Sequence, residues 1–191
     1  MSNVCGGDRD AKPAIPPGHR LGSRYLAYRT FFAAAGVAAL LFSTVNLAAA
    51  ASFRQGVAAY QRQDYVSATR SFIALAERGD AAAETYLGFM FETGRGVPQN
   101  YTEAAMWYRR AAEQGDGLAQ YSLGLLYDRG QGVPRDIVEA GKWLNLATAS
   151  APPQAREARA RIRDAVTTKM TRGEIALARQ RALQWAPTRE R

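Results

Sequence analysis

Between residues 83 and 150, small and apolar side chains recur every three or four positions, and a glycine-rich loop interrupts each series. Ala83, Leu87 and Phe91 fall four residues apart, and a second series of this kind runs from residue 104 to residue 111. Apolar positions at this spacing share one face of an α-helix. The pattern therefore predicts two amphipathic helices joined by a loop, which is an αα-hairpin.

The hairpin pattern repeats after 36 residues. When Ala83 to Gln114 is placed over Ala119 to Ser150 without a gap, eleven positions are identical. In the first copy these positions are Ala83, Leu87, Gly88, Gly94, Gly96, Val97, Pro98, Glu103, Ala104, Trp107 and Ala111. A fixed period of this length is typical of helical repeat proteins.

The loop reads GRGVPQN in the first copy and GQGVPRD in the second. Gly94 supplies the positive φ that ends a helix, Gly96 permits a tight bend, and Pro98 prevents the helix from resuming at once. Asn100 caps the next helix, and Glu103 completes a pattern close to a capping box. A phosphate-binding loop would need a preceding strand and a lysine, and this loop has neither. We therefore interpret it as a structural connection.

Two further features extend the hairpin pattern. Gly88 and Gly124 stand inside predicted helices, where glycine costs about 1 kcal/mol, and this predicts close approach of a neighbouring helix. Upstream, residues 56–80 form an incomplete copy without the glycine loop, and a shorter turn is expected from Gln61 to Asp64.

The segments AETYLGFMFETGRGVPQNYTEAAMWYRRAAEQGD and AQYSLGLLYDRGQGVPRDIVEAGKWLNLA resemble Sel1-like repeats, a branch of the tetratricopeptide superfamily with a longer glycine loop. GVAAYQRQDYVSATRSF resembles an ordinary tetratricopeptide hairpin. The resemblance implies an all-α fold, a right-handed α-solenoid of about three hairpins with a two-helix C-terminal cap. It also implies an adaptor that binds other proteins. A cysteine-rich branch of the family binds β-lactam-like compounds, and this chain lacks the paired cysteines of that branch.

The expected domain organisation has three parts. They are an N-terminal extension with a signal peptide or membrane anchor at 1–51, a repeat domain at 52–150 and capping helices at 151–187. Within the repeat domain we expect a degenerate repeat at 52–82 and two Sel1-like repeats at 83–118 and 119–150.

The N-terminal extension has the features of an export signal. Arg20, Arg24 and Arg29 precede an apolar segment at residues 31–51, which contains the Ala-x-Ala sequence of residues 48–50. A positive region, an apolar region and such a site are the parts of a secretory signal peptide. The sequence predicts cleavage and a periplasmic protein. The alternative is an inner-membrane anchor formed by residues 31–51, with the repeats outside the cytoplasm.

The C-terminal segment is predicted to form two capping helices. In the first, Ala158, Ile162 and Ala165 belong to a predicted apolar stripe, and arginines occupy the remaining surface. The possible electrostatic contacts on that surface are Arg156, Arg159 and Arg163. A capping box of Thr171 and Glu174 is expected to open the second helix.

Charge and composition exclude several functions. The formal net charge is +8, but residues 52–153 carry ten Arg/Lys and eleven Asp/Glu, so the basicity belongs to the two ends. A nucleic-acid partner is therefore not expected. Cys5 and His19 are the only cysteine and histidine, and cleavage would remove both. Without them a Ser-His-Asp triad, a cysteine nucleophile or a His-based zinc site is excluded, and we predict no enzyme activity, metal or cofactor.

Binding is the remaining function. In stacked hairpins the first helices line a concave surface whose exposed residues select the ligand. With one stripe turned to the core, six side chains should face outward on these helices. These predicted groove residues are Thr85, Phe89, Glu92, Tyr121, Leu125 and Asp128.

Phe89 and Leu125 are apolar where solvated residues would be polar, which favours a groove for a peptide or protein. The alternative is that the C-terminal helices fold back and cover these positions, or that packing between the repeats covers them. The predicted function is a non-catalytic adaptor in the periplasm or cell envelope. A second hypothesis is a structural envelope protein that binds anionic lipid or cell-wall polymer through its arginine-rich C-terminal helices.

Overall fold

The computed structural model of the chain describes residues 52–188, so the predicted export signal, Cys5 and His19 lie outside the described residues. The described part is all-α, as the sequence predicts. Its helices are α1 at residues 52–61, α2 (Tyr65–Ala76), α3 (Ala81–Thr93), α4 (Tyr101–Glu113), α5 (Gly117–Arg129), α6 (Ile137–Ala149), α7 (Pro153–Thr167) and α8 (Arg172–Gln184). Within residues 52–188, no helix has both the length and the hydropathy to span a bilayer.

The helices pack as consecutive hairpins. α3 packs on α4 and α5 on α6, while α2 contacts α3 and α4 contacts α5, so each hairpin also packs on the next. Phe72 and Leu87 are fully buried in a cluster formed by α1, α2 and α3. Tyr108 and Leu123 belong to a second cluster that continues through α6 to Val166 of α7. A continuous core of this kind is expected when each hairpin buries its apolar face against its neighbours.

The mid-helix glycines lie where two helices approach closely, as predicted. A Cβ atom on Gly88 would lie 2.6 Å from the ring of Tyr108, and one on Gly124 would lie 2.8 Å from Cγ of Leu144. These distances are far below van der Waals contact. Each glycine therefore makes room for a large side chain from the second helix of its own hairpin.

Each glycine loop joins the two helices of one hairpin and also contacts the preceding hairpin. Gly94 ends α3 at φ 71°, and Gly96 follows at φ 76°, so both are left-handed. A Cβ on Gly96 would lie 2.5 Å from the carbonyl oxygen of Tyr65, the first residue of α2. Gly132 approaches the carbonyl of Tyr101, the first residue of α4, in the same way. The sequence predicted a bend at these glycines but not this packing on the preceding hairpin.

The helix caps agree with the sequence only in part. The side chain of Asn100 accepts hydrogen bonds from the backbone amides of Thr102 and Glu103, which confirms it as the cap of α4. The backbone N–H of Asn100 donates to the carbonyl oxygen of Phe91 at 2.9 Å, so the predicted reciprocal contact with the Glu103 carboxylate is replaced by a hydrogen bond to α3. The expected capping box of Thr171 with its glutamate does form at the start of α8.

The surface assigned to α7 from the sequence was wrong. Ala158, Ile162 and Ala165 are exposed, whereas Arg159 is only 9% exposed. Nη1 of Arg159 donates a 2.9 Å hydrogen bond to the carbonyl oxygen of Ala147, in the last turn of α6. The end of a helix presents unpaired carbonyl oxygens and partial negative charge, which a guanidinium satisfies. Arg159 therefore links α7 to the end of α6 and is not an exposed, unpaired charge.

α7 and α8 both pack on α6, and few residues of α7 contact α8. After α8 the chain returns toward α4. Trp185 packs edge-on against Trp143 at 6.2 Å between ring centroids, and the amide of Thr188 donates to the carbonyl of Glu113 at 2.8 Å. The C-terminal segment thus ties the last two hairpins together.

We expect Gly96→Ala and Gly132→Ala each to lower the free energy of unfolding by about 1–3 kcal/mol, because alanine is strained at positive φ and its Cβ would strike the neighbouring backbone. The matched control is Gly173→Ala in α8, where a Cβ would meet nothing within 4 Å. That substitution should be neutral or stabilising by about 0.5–1 kcal/mol. Urea unfolding monitored by circular dichroism measures all three. Equal effects at the three positions would contradict the assigned loop contact.

We also expect Arg159→Met to lower the free energy of unfolding by about 1.5–3 kcal/mol, because it leaves the buried carbonyl of Ala147 without its charged donor. Arg161→Met on the same helix is the control, since Arg161 pairs only with exposed Glu157 and its side chain is 75% exposed. Its loss should change stability by less than about 0.5 kcal/mol. If the two variants melt alike, Arg159 does not anchor the cap.

Candidate partner-binding surface

A shallow depression of about 200 Å³ opens between α3 and α5. We call it the α3–α5 depression. Its lining is mostly aromatic and hydroxyl-bearing. The lining residues are Tyr60, Thr85, Tyr86, Phe89, Tyr108, Leu118 and Ser122. A depression of this size has room for one large side chain of a partner.

Ring-to-ring contacts hold one wall of the depression in place. Tyr60 packs edge-on against Tyr86 at 6.0 Å and against Phe89 at 6.2 Å. Tyr86 in turn stacks on buried Phe72 at 4.7 Å. Aromatic pairs at these separations prefer fixed edge-to-face or offset geometries. The wall is therefore formed before any ligand arrives.

Apolar surface remains open to solvent at this place. Phe89 is 38% exposed and Leu118 is 58% exposed. Isolated exposed apolar residues are common, but two of them bordering one concave surface mark a candidate interaction site.

The lining includes one buried polar group. The hydroxyl of Tyr108 donates a 2.7 Å hydrogen bond to Oε2 of Glu92. Burial raises the pKa of the Tyr108 hydroxyl, and the nearby negative charge and acceptor of Glu92 raise it further, while Ser122 lowers it slightly. Tyr108 therefore remains a neutral hydrogen-bond donor at physiological pH.

The structure separates the six predicted groove residues. Thr85 and Phe89 line the depression, and Glu92 is the hydrogen-bond partner of Tyr108. Tyr121, Leu125 and Asp128 are half-buried on α5 and do not contribute to the depression. These three residues occupy the same repeat positions as the three predicted residues of α3. The two repeats therefore do not form equivalent sites, although the sequence positions correspond.

The C-terminal segment reaches one of these residues. Lys169, which follows α7, forms an ion pair with Asp128 at 2.6 Å, and the Asp128 side chain is only 10% exposed. The far end of α5 is therefore engaged by the cap, while the depression beside Phe89 is open.

Sequence reasoning missed five of the seven lining residues, among them Tyr108, whose side chain also belongs to the buried core. Tyr86 and Ser122 are repeat equivalents, and their shared 36-residue spacing is the signal that could have placed them on one surface. Leu118 lies in the first turn of α5, and Tyr60 comes from the incomplete first copy. The first copy is shorter than the later repeats, so the 36-residue alignment does not extend to α1 and does not predict how Tyr60 packs on α3.

The predicted electrostatic surface is smaller than expected. Arg156 is exposed and donates to the carbonyl of Ala151 at 3.2 Å, whereas Arg163 pairs with Asp164 at 2.7 Å. With Arg159 buried, the three arginines do not form one continuous exposed cationic surface.

Within residues 52–188, no three His, Cys, Asp or Glu side chains cluster in a way that could hold a metal ion. The depression has no charged lining residue, and its polar groups are tyrosine, serine and threonine hydroxyls. Such a surface can bury an apolar side chain and donate hydrogen bonds to a peptide.

Comparison with known proteins matches this chain to repeat proteins. The sequence model described as the Sel1 repeat matches residues 81–116 and 117–151. No curated protein matches the chain.

Two solved structures resemble the fold. A protective antigen of uropathogenic Escherichia coli strains, described as displaying an SLR fold, is 30% identical with a TM-score of 0.66; the match covers 72% of this chain and 29% of the antigen. A Sel1 repeat protein from Oxalobacter formigenes is 27% identical with a TM-score of 0.56, covering 70% of this chain and 56% of that one. The present chain thus spans less than two thirds of either relative.

The raised pKa of Tyr108 predicts a specific loss of stability at alkaline pH. The folded state retains this proton, while the unfolded chain releases it above the ordinary tyrosine pKa of about 10. The contribution is therefore complete below that pH and declines as pH rises above it, by up to about 1.4 kcal/mol per unit.

Chemical unfolding of the protein and of Tyr108→Phe between about pH 8 and pH 11 tests this expectation. The stability of the phenylalanine variant should decline less steeply above about pH 10. Parallel curves for the two proteins up to about pH 11 would show that Tyr108 ionises as readily in the folded state as in the unfolded state.

Proposed function

We propose that this chain, a Sel1 repeat protein, is a non-catalytic adaptor that binds another protein through the α3–α5 depression. Sel1 repeats generally mediate protein interactions, and members of the family are typically non-catalytic adaptors. The observation that carries the proposal is the preformed aromatic wall beside exposed Phe89.

The chemistry of the depression favours a peptide segment as the ligand. Its walls offer rings for an apolar side chain and hydroxyls that can donate to or accept from a peptide backbone. Because the rings are already packed, binding costs little side-chain ordering on the protein's side. Helical and extended peptides both bind in such surfaces with a few apolar anchors.

We propose that the adaptor acts in the periplasm or at the cell envelope. The proposal is supported by the arginines and the apolar segment at residues 31–51, which have the pattern of an export signal. If the segment is not cleaved, the same pattern would anchor the protein with its repeats outside the cytoplasm.

The alternative of an envelope protein that grips anionic polymer through α7 receives less support. Such binding would need several unpaired cations on one exposed surface. Arg159 is buried against α6, and Arg163 is paired with Asp164. Arg156 is the only one of the three predicted arginines that is exposed.

The adaptor proposal is tested by crosslinking capture from envelope extract with the chain from Ser52 onward. We expect Phe89→Glu to reduce capture of the bound partner at least tenfold, because a charge replaces the exposed ring at the mouth of the depression. Ile73→Glu is a matched control, since Ile73 on α2 is also 38% exposed and does not line the depression.

Capture that is equal for the protein and the Phe89→Glu variant would overturn the depression as the binding surface. Capture that persists with both variants but declines steeply with salt would instead support the alternative through α7. Melting curves of both variants verify that they are folded.

A further inference from the structure

The residue between the two loop glycines, Arg95, rests among three aromatic rings. Its guanidinium carbon lies 5.7 Å from the ring centroid of Tyr60, 5.7 Å from that of Tyr65 and 5.5 Å from that of Phe89. Its Nη1 also donates a hydrogen bond to the hydroxyl of Tyr60. We call this arrangement the Arg95 cage.

The cage fixes a side chain that would otherwise be mobile. A guanidinium within about 6 Å of an aromatic ring is attracted by the negative face of the ring. The backbone is fixed as well, because Gly94 and Gly96 are both left-handed and the amide of Arg95 donates to the carbonyl of Met90 at 3.0 Å. The long side chain has therefore already lost much of the freedom that binding would otherwise remove.

The charge of Arg95 remains available to a ligand. Among residues 52–188, no carboxylate forms an ion pair with it, and Nη1 is the donor that contacts Tyr60. A guanidinium has five N–H donors, and the contact with Tyr60 uses one of them, so the others can donate to a ligand.

The cage and the α3–α5 depression share two residues, Tyr60 and Phe89. A ligand whose apolar side chain enters the depression therefore has its neighbouring residue close to the guanidinium. We propose that this surface recognises a peptide segment in which an acidic residue adjoins a large apolar residue. This inference rests on the proposed function, and it names the chemistry of the partner.

The charges around the surface favour an acidic partner over a basic one. The lining of the depression contains no charged group, and the carboxylate of Glu92 is engaged by Tyr108. A carboxylate pairs with a guanidinium through two parallel hydrogen bonds, which adds direction to the attraction. A lysine or arginine of the ligand would meet a like charge, since Arg95 already occupies the face of the rings.

The second repeat has no equivalent site. Gln131 stands in place of Arg95 and Leu125 in place of Phe89. Oε1 of Gln131 is buried and has no hydrogen-bond partner in the described part of the chain. Of the two Sel1 repeats, only the first therefore has a subsite for an acidic residue of the peptide. That subsite determines where along the array the peptide binds.

The test uses two fluorescein-labelled hexapeptides, blocked at both ends, that differ only in having phenylalanine followed by aspartate or by asparagine. Fluorescence anisotropy measures their affinity for the chain from Ser52 onward at low and high salt. We expect the aspartate peptide to bind about three- to tenfold tighter at low salt, because only it forms the charged pair. The preference should shrink as salt screens this exposed pair.

Arg95→Gln should abolish the preference for aspartate, so that the variant binds the two peptides with equal affinity. Arg78→Gln is the matched control: it removes the same charge just beyond the opposite end of α2 and should keep the preference.

The inference is overturned if the protein binds both peptides equally, or if Arg95→Gln keeps the preference. Failure of both peptides to bind at millimolar concentration also overturns it, because the depression then does not accept this apolar–acidic pair. None of these results decides the adaptor proposal, which depends on partner capture by the Phe89→Glu variant.

Discussion

The packing of each loop's second glycine against the start of a preceding helix sets the geometry of the array. Gly96 touches the backbone of Tyr65, and Gly132 touches that of Tyr101, so two successive hairpins are joined by the same contact. A Cβ atom at either glycine would clash with the neighbouring backbone, and the left-handed conformation of both residues is one that glycine adopts readily. The 36-residue period is therefore maintained by backbone contact as well as by apolar stripes. The surface that we propose for partner binding lies between α3 and α5.

Much of the fold could be predicted from the sequence because the same pattern of apolar and small residues occurs in two copies. The helices, the caps at Asn100 and Thr171, and the close approaches at Gly88 and Gly124 could all be predicted, since each depends on local periodicity or on small residues at fixed positions. These are short-range rules, and tertiary structure did not override them.

The errors have a common cause. Arg159 was assigned to the surface because an arginine on a helix usually is exposed, but the unpaired carbonyls at the end of α6 provide a buried partner for it. Likewise, the backbone N–H of Asn100 donates a hydrogen bond to Phe91 of α3 and not to the carboxylate of Glu103. Tyr60 was missed because the first copy is shorter than the later ones, and the residue 36 positions after Tyr60 is Gly96 of the loop. Each case required knowing which element lies across an interface, and a helical period carries no information on that.

The Arg95 cage takes its parts from two repeats, with Tyr60 and Tyr65 from the incomplete first hairpin and Arg95 and Phe89 from the next. A ligand held there binds only while the two repeats are stacked. By thermodynamic linkage it would then stabilise the interface between them by an amount that grows with the ratio of the free ligand concentration to Kd. In a linear array, where stability is a sum over repeats and their interfaces, the end hairpin is the unit most able to detach. A ligand bound at the Arg95 cage would therefore slow amide hydrogen exchange in α1 and α2, far from the C-terminal cap.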